Sequence, residues 1–176
     1  MNRFVTEGGV CWILGMSCAG KTTISRTLHQ ILKEEYTNIV LLDGDILRNA
    51  FGNDLSHSIS DRRTQICRIQ NIAKLLSDQG VMVVIGALYS EDLLLAWNRE
   101  NIINYFEVYL EADLEHLIER DDRGLYKDAL DGKVKDVVGI DIEWNIPKNP
   151  DLIIRTNKFI DPKISAVKIL DKMDSL

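Results

Sequence analysis

The sequence predicts an α/β fold in three layers, a mainly parallel five-stranded sheet with helices on both faces. Three observations carry that prediction. Five short apolar runs alternate with segments of helical periodicity, the pattern of parallel strands joined by right-handed crossovers. The first run leads into a glycine-containing loop and then straight into a helical pattern. One long polar stretch, 121–150, breaks the alternation and reads as a lid. Residues 1–176 are expected to form one domain, because this length with 45% hydrophobic residues supplies one core.

In chain order, Val10 to Leu14 is the first strand, and Gly15 to Thr22 is the loop Gly-Met-Ser-Cys-Ala-Gly-Lys-Thr. Ile24, Leu28, Ile31 and Leu32 then recur at helical spacing from Lys21 to about Tyr36. Asn38 to Leu42 is the second strand and runs into Asp43-Gly44-Asp45. Ser58, with Asp61 three residues on, opens a long amphipathic helix through Ile66, Ile69, Ile72, Ala73 and Leu76, which Gly80 stops. Val81 to Leu88 is almost wholly apolar, as a strand buried on both faces must be. A helix from Glu91 to Asn98, a strand from Tyr105 to Leu110 and a short helix capped by Asp113 and ending near Arg120 follow. Asp151 to Arg155 is the last strand, and Asp161-Pro162 starts the last helix.

Composition restricts the partners. A formal charge of −6 provides no general basic surface, so nucleic acid and anionic membrane are not expected partners. No apolar run is long enough to span a bilayer, and Met1 to Gly9 has no signal-like core, so a cytoplasmic location is expected. Cys11, Cys18 and Cys67 have no metal-ligand spacing and read as reduced thiols.

The loop carries the chemistry. G-x-x-x-x-G-K-T between a strand and a helix is a phosphate-binding P-loop: backbone N–H groups wrap the phosphates and the helix N-terminus adds positive potential. The expected ATP site is therefore Gly15, Met16, Ser17, Cys18, Ala19, Gly20, Lys21, Thr22 and Thr23. Lys21 is placed to reach the β- and γ-phosphates, and Thr22 to ligate Mg²⁺. Asp43 and Asp45 lie at a strand's C-terminal edge, where open α/β sheets bind ligands. One of them is expected to join the metal site, with Asp43 assigned beside Thr22, and either can serve as base; the pattern leaves those two roles open. Arg48, Arg62 and Arg68 follow as guanidinium groups suited to an anionic acceptor, and Gln65 and His57 as polar groups able to read a base edge.

These residues resemble the adenylylsulfate kinase family. Beyond the P-loop, the resemblance rests on Leu42-Asp43-Gly44-Asp45 with Arg48, Asp61-Arg62, Ala73-Lys74-Leu75-Leu76, Gly124-Leu125-Tyr126-Lys127, Gly139-Ile140-Asp141 and Asn149-Pro150-Asp151-Leu152, in the family's order. It implies a P-loop kinase fold and transfer of the ATP γ-phosphate, with Mg²⁺, to a ribose 3′-hydroxyl. It also implies a homodimer, Arg120 near the ATP adenine, and Lys127 at the acceptor. Lys21, Asp43 and Asp45 would form the catalytic set.

Departures from the family fall on the acceptor side. Where the family has Gly-Phe-Ser and Phe-Thr-Gly-Ile, whose phenylalanines sandwich an adenine, this chain has His57-Ser58-Ile59-Ser60 and Val137-Val138-Gly139-Ile140. Stacking worth ~1–3 kcal/mol per base is removed on each face. Asn-Ile-Arg-Arg becomes Gln65-Ile66-Cys67-Arg68, and Ser-Pro-Tyr-Arg becomes Tyr89-Ser90-Glu91-Asp92. The expected acceptor is thus a small anionic nucleotide other than adenosine 5′-phosphosulfate. Cytidine diphosphoramidate, which is phosphorylated during capsule assembly, is preferred over the adenylylsulfate of sulfate activation, with a non-catalytic nucleotide-binding protein as a remote alternative. A guanine-reading site is excluded, because Asn157-Lys158-Phe159-Ile160 has Ile where a carboxylate is needed.

Overall fold

Apolar residues with no polar alternation fill Gly9–Leu14 (β1) and Met82–Ala87 (β3), and every residue of both strands is buried. Such strands belong at the centre of a parallel sheet covered on both faces. In the computed structural model, which describes residues 3–175, they pair with each other in parallel. Ile39–Asp43 (β2) pairs with β3, Tyr105–Glu111 (β4) with β1, and Leu152–Arg155 (β5) with β4, giving the order β2-β3-β1-β4-β5, all parallel.

Helices cover the two faces as the periodicity requires. Cys11 and Ile13 face one layer, which includes Leu28 and Leu32 of Lys21–Glu35 (α2) and Ala166 and Ile169 of Pro162–Asp174 (α8). Val10, Trp12 and Leu14 face the other, with Ile66, Ile69 and Ala73 of Ile59–Ser77 (α4) and Leu95 of Asp92–Asn101 (α5). Neighbouring β1 residues thus point to opposite cores, as a pleated strand demands. Among the described residues, no helix is long and apolar enough to cross a membrane.

Four short helices complete the fold: Arg3–Thr6 (α1), Gly44–Ala50 (α3), Leu114–Glu119 (α6) and Leu125–Leu130 (α7). Neither α3 nor α7 was expected from periodicity, since one or two turns hold too few apolar positions to show a period. Asp113 sits at the start of α6 but makes no capping bond there; its carboxylate accepts from Asn157 Nδ2 at 2.6 Å instead. Ser58 does cap α4, accepting from the Asp61 amide at 3.3 Å, and Asp161 caps α8.

One buried charge interrupts the second core. Glu107, 1% exposed on β4, accepts from Tyr105 Oη at 2.9 Å and lies 3.6 Å from the Arg99 guanidinium. Arg99 also binds Asp151, whose carboxylate accepts from the Glu107 amide at 2.8 Å, so α5, β4 and the approach to β5 share one network. Burial raises the Glu107 carboxyl above the usual range, partly offset by Tyr105 and Arg99.

Candidate active site

The sheet order reverses direction at β1, which lies between β3 and β4, so the crevice at the C-terminal ends of these strands is the natural ligand position. The loop 15–20 leaves β1 at this crevice. Gly15 is packed so tightly that a Cβ would come within 3.0 Å of the Leu110 carbonyl oxygen. Gly20, at φ +97°, supplies the left-handed turn into α2. Cys18 holds a similar conformation, φ +63°, despite its side chain. Its Sγ lies 3.9 Å from Asp121, and burial followed by Asp121 pushes its thiol pKa up, so it is not an activated thiolate.

Lys21 folds back over this loop, its ammonium donating to the Met16 carbonyl at 2.6 Å. Burial of that ammonium lowers its pKa to about 8, although Cys18, Asp45 and Asp43 act in the opposite direction. Thr22 Oγ1 donates to Asp43 Oδ2 at 3.2 Å. The other Asp43 oxygen accepts from the amides of Asp45 and Ile46 at 3.0 and 3.4 Å, capping α3. Asp43 is therefore buried and fixed from both sides, whereas Asp45, one residue into α3, is exposed.

These residues fit a magnesium ion. The Thr22 hydroxyl beside the Asp43 carboxylate, with Asp45 nearby, is an all-oxygen set with few protein ligands, which suits an ion that keeps waters and phosphate oxygens as its other ligands. No cluster of three or more His, Cys, Asp or Glu suited to a metal occurs among the described residues.

Two hollows meet at the loop. The smaller, about 240 Å³, is lined by Cys18, Gly20, Lys21, Thr22, Thr23 and Arg120, all within the expected ATP site. Arg120 is held there by a bond from its guanidinium to the Asn157 carbonyl at 2.6 Å. The larger, about 820 Å³, runs from Ser17, Lys21 and Thr22 past Asp43 and Asp45 to Arg48, Arg62 and Gln65. Its walls include Ile66, Ile69, Leu88 and Tyr89 on the sheet side and Val137 and Val138 from the 121–150 segment.

Two arginines expected at the acceptor are held by backbone carbonyls. Arg48 donates to Leu55 and Ser56 at 3.2 and 3.0 Å, and Arg62 to His57 and, across the cavity mouth, to Asp136 at 2.8 and 2.7 Å. Each bond uses part of the guanidinium's five N–H groups. His57 also lines the cavity; burial, then Arg48 and Arg62, lower its pKa and favour the neutral ring. Gln65 is 4% exposed; its Nε2 reaches the Gly44 carbonyl at 3.5 Å and its Oε1 has no partner.

Two expected acceptor residues lie apart from this group. Arg68 forms a two-pronged pair with Asp54 at 2.8 and 2.7 Å and stacks over Phe51, and Lys127 is exposed on α7. Neither lines the cavity. Tyr89, Arg26, Arg123 and Lys135 line it without having been singled out as site residues. Three of these had a legible signal: Tyr89 in its place just past the C-terminal end of a buried strand, and Arg123 and Lys135 as basic residues of the lid-like stretch 121–150. Its hydroxyl bonds Glu91, whose carboxylate is also held by Arg63 at 2.8 Å, so the acidic residue at this position is neutralised by a neighbour.

Comparison with known proteins agrees with this geometry. The family model described as adenylylsulphate kinase matches residues 7–155. The cytidine diphosphoramidate kinase of Campylobacter jejuni is 38% identical over 151 residues, covering 84% of this chain and 86% of the relative. The adenylyl-sulfate kinase of Rippkaea orientalis is 38% identical over 170 residues, covering 97% and 93%. The Mycobacterium tuberculosis APS kinase CysC, solved with AMPPNP and APS, superposes with a TM-score of 0.87 at 30% identity, covering 96% of this chain and 98% of its own. P-loop, paired aspartates, arginine-lined cavity and these matches converge, and the chain belongs to the adenylylsulphate kinase family of phosphotransferases.

Proposed function

We propose that the protein transfers the γ-phosphate of ATP to the ribose 3′-hydroxyl of an anionic 5′-nucleotide, and that its acceptor is cytidine diphosphoramidate. One observation carries the kinase chemistry: a single cavity joins the P-loop to Asp45 and the carbonyl-held Arg48 and Arg62. In this reading, loop amides and Lys21 hold the ATP phosphates, and Arg120 lies by the adenine. Thr22 and Asp43 hold Mg²⁺, which when bound neutralises charge on the phosphates. Asp43 is committed to α3 and Thr22, so Asp45, exposed in the cavity, is assigned to orient and deprotonate the 3′-hydroxyl. Arg48 and Arg62 hold the acceptor's anionic end, and residues 121–150 act as a lid drawn to α4 by the Arg62–Asp136 bond. A cytoplasmic homodimer belongs to the same reading.

Support for the cytidine acceptor comes from the cavity walls. The lining has Val137 and Val138 from the lid and His57 and Tyr89 as its aromatic rings, with no phenylalanine pair to sandwich a purine. A true adenylylsulfate kinase is the second reading, supported by the 97% coverage of this chain by the Rippkaea orientalis relative. ATP-dependent phosphorylation of both acceptors, with the new phosphate located by phosphorus NMR, separates them. The expected outcome is a 3′-phosphate with preference for the cytidine compound; preference for adenosine 5′-phosphosulfate reverses the assignment, and transfer to a 5′-phosphate overturns both.

A further inference from the structure

Resting on the cytidine diphosphoramidate reading above, we infer that Gln65 selects the acceptor by its terminal group, its side-chain oxygen accepting a hydrogen bond from the phosphoramidate N–H. Gln65 is 96% removed from solvent on the 4% exposure it retains, yet it lines the cavity and its Oε1 has no hydrogen-bond partner. A buried acceptor left unpaired is costly, so a ligand that brings a donor to it is favoured over one that brings another acceptor. The amide orientation is set by its other end. Nε2 faces the Gly44 carbonyl at 3.5 Å, and flipping the amide would set oxygen against oxygen, so the oxygen is the atom left unpaired; it is closed off from solvent in this structure, and a small turn of the side chain that gives up this long contact brings it to the cavity.

Its position matches the acceptor's anionic end. Gln65 lies three residues after Arg62 on α4, on the same helix face, and beside the Asp43–Asp45 turn through Gly44. A group held by the remaining N–H groups of Arg62 would therefore lie on the cavity wall that Gln65 shares. A sulfate terminus carries no proton at neutral pH, and a phosphate terminus, with a second pKa of about 6, is mostly ionised above about pH 7.5, so there both present chiefly oxygens. A phosphoramidate terminus satisfies the guanidinium groups with its oxygens and Gln65 with its nitrogen-bound hydrogens. Sites that hydrogen-bond a substrate N–H discriminate strongly against the analogue without it, because the buried partner is then left unpaired.

The test compares cytidine diphosphoramidate with cytidine diphosphate, which share base, ribose and first phosphate, as acceptors for the wild type and for Gln65→Leu and Gln65→Met. The charge difference between the two acceptors is common to all three proteins and cancels when the ratio of kcat/KM values is compared between variant and wild type. The wild-type ratio should favour the diphosphoramidate, and both variants should lower that ratio about 10–100-fold, the effect of one buried hydrogen bond. If one variant fails to fold by thermal melting, the other supplies the ratio. An unchanged ratio, with both acceptors slowed alike, would assign the oxygen to ribose or base and overturn this inference while the kinase reading stands. A wild type that ignores cytidine diphosphoramidate and phosphorylates adenosine 5′-phosphosulfate overturns the acceptor reading and this inference with it.

Discussion

Lys21 shows how a single side chain sets a pH range. Its ammonium donates to the Met16 carbonyl at the P-loop, and its burial there lowers its pKa to about 8. A lowered lysine pKa means the charged form is disfavoured before ATP arrives, so the free enzyme loses its phosphate-binding cation as pH rises through that value. The kcat/KM for ATP, which reports the free enzyme, should fall above about pH 8. Lys21→Ala should cut turnover about 10²–10³-fold with an unchanged fold by circular dichroism, and its remaining activity should lack that limb. Near-normal turnover in the variant would remove Lys21 from the mechanism.

At the scale of elements, the turn from β2 into α3 couples structure to chemistry through Asp43. One oxygen caps α3 and the other meets Thr22, so substitution disturbs both. Asp43→Asn preserves a capping oxygen and removes the charge; it should melt within a few degrees of wild type, while turnover at fixed Mg²⁺ drops at least tenfold. A large loss of melting temperature with little loss of turnover would make Asp43 a helix cap only. This turn also marks how far the sequence could be read. The buried strands and the long helices α2 and α4 were legible because each repeats its period several times. The helix α3 was hidden because its seven residues bury none of their side chains, leaving no apolar period to read. Site residues with fixed spacing, Gly15 to Thr22 and Asp43 to Asp45, were legible as chemistry. Arg68 was not separable from Arg62 in sequence, since whether a guanidinium meets the cavity or a neighbour such as Asp54 depends on a loop's path. Whether the lid residues Arg123 and Lys135 meet the cavity was hidden for the same reason, whereas the place of Tyr89 just past β3 was legible.

Across the whole molecule, the Glu107 network links α5, β4 and the entry to β5 through a carboxylate that burial makes harder to ionise. Because its folded pKa is raised, its contribution is fully present below the unfolded value of about 4.3 and is lost as pH rises through the raised value. Glu107→Gln keeps an acceptor for Tyr105 and cannot ionise, so its melting temperature should fall less than that of wild type as the pH is raised from the acidic side through the raised carboxyl pKa to neutrality. Parallel melting curves would mean Arg99 offsets the burial completely. The strand order has another consequence, for synthesis. The central strand β1 ends at residue 14, but both its neighbours, 82–87 and 105–109, lie far downstream. At roughly 5–20 residues per second, the P-loop strand waits several seconds on the ribosome before its neighbours emerge. During that interval the nascent chain has its phosphate-binding motif but no pocket, so nucleotide cannot help it fold until both neighbouring strands have emerged.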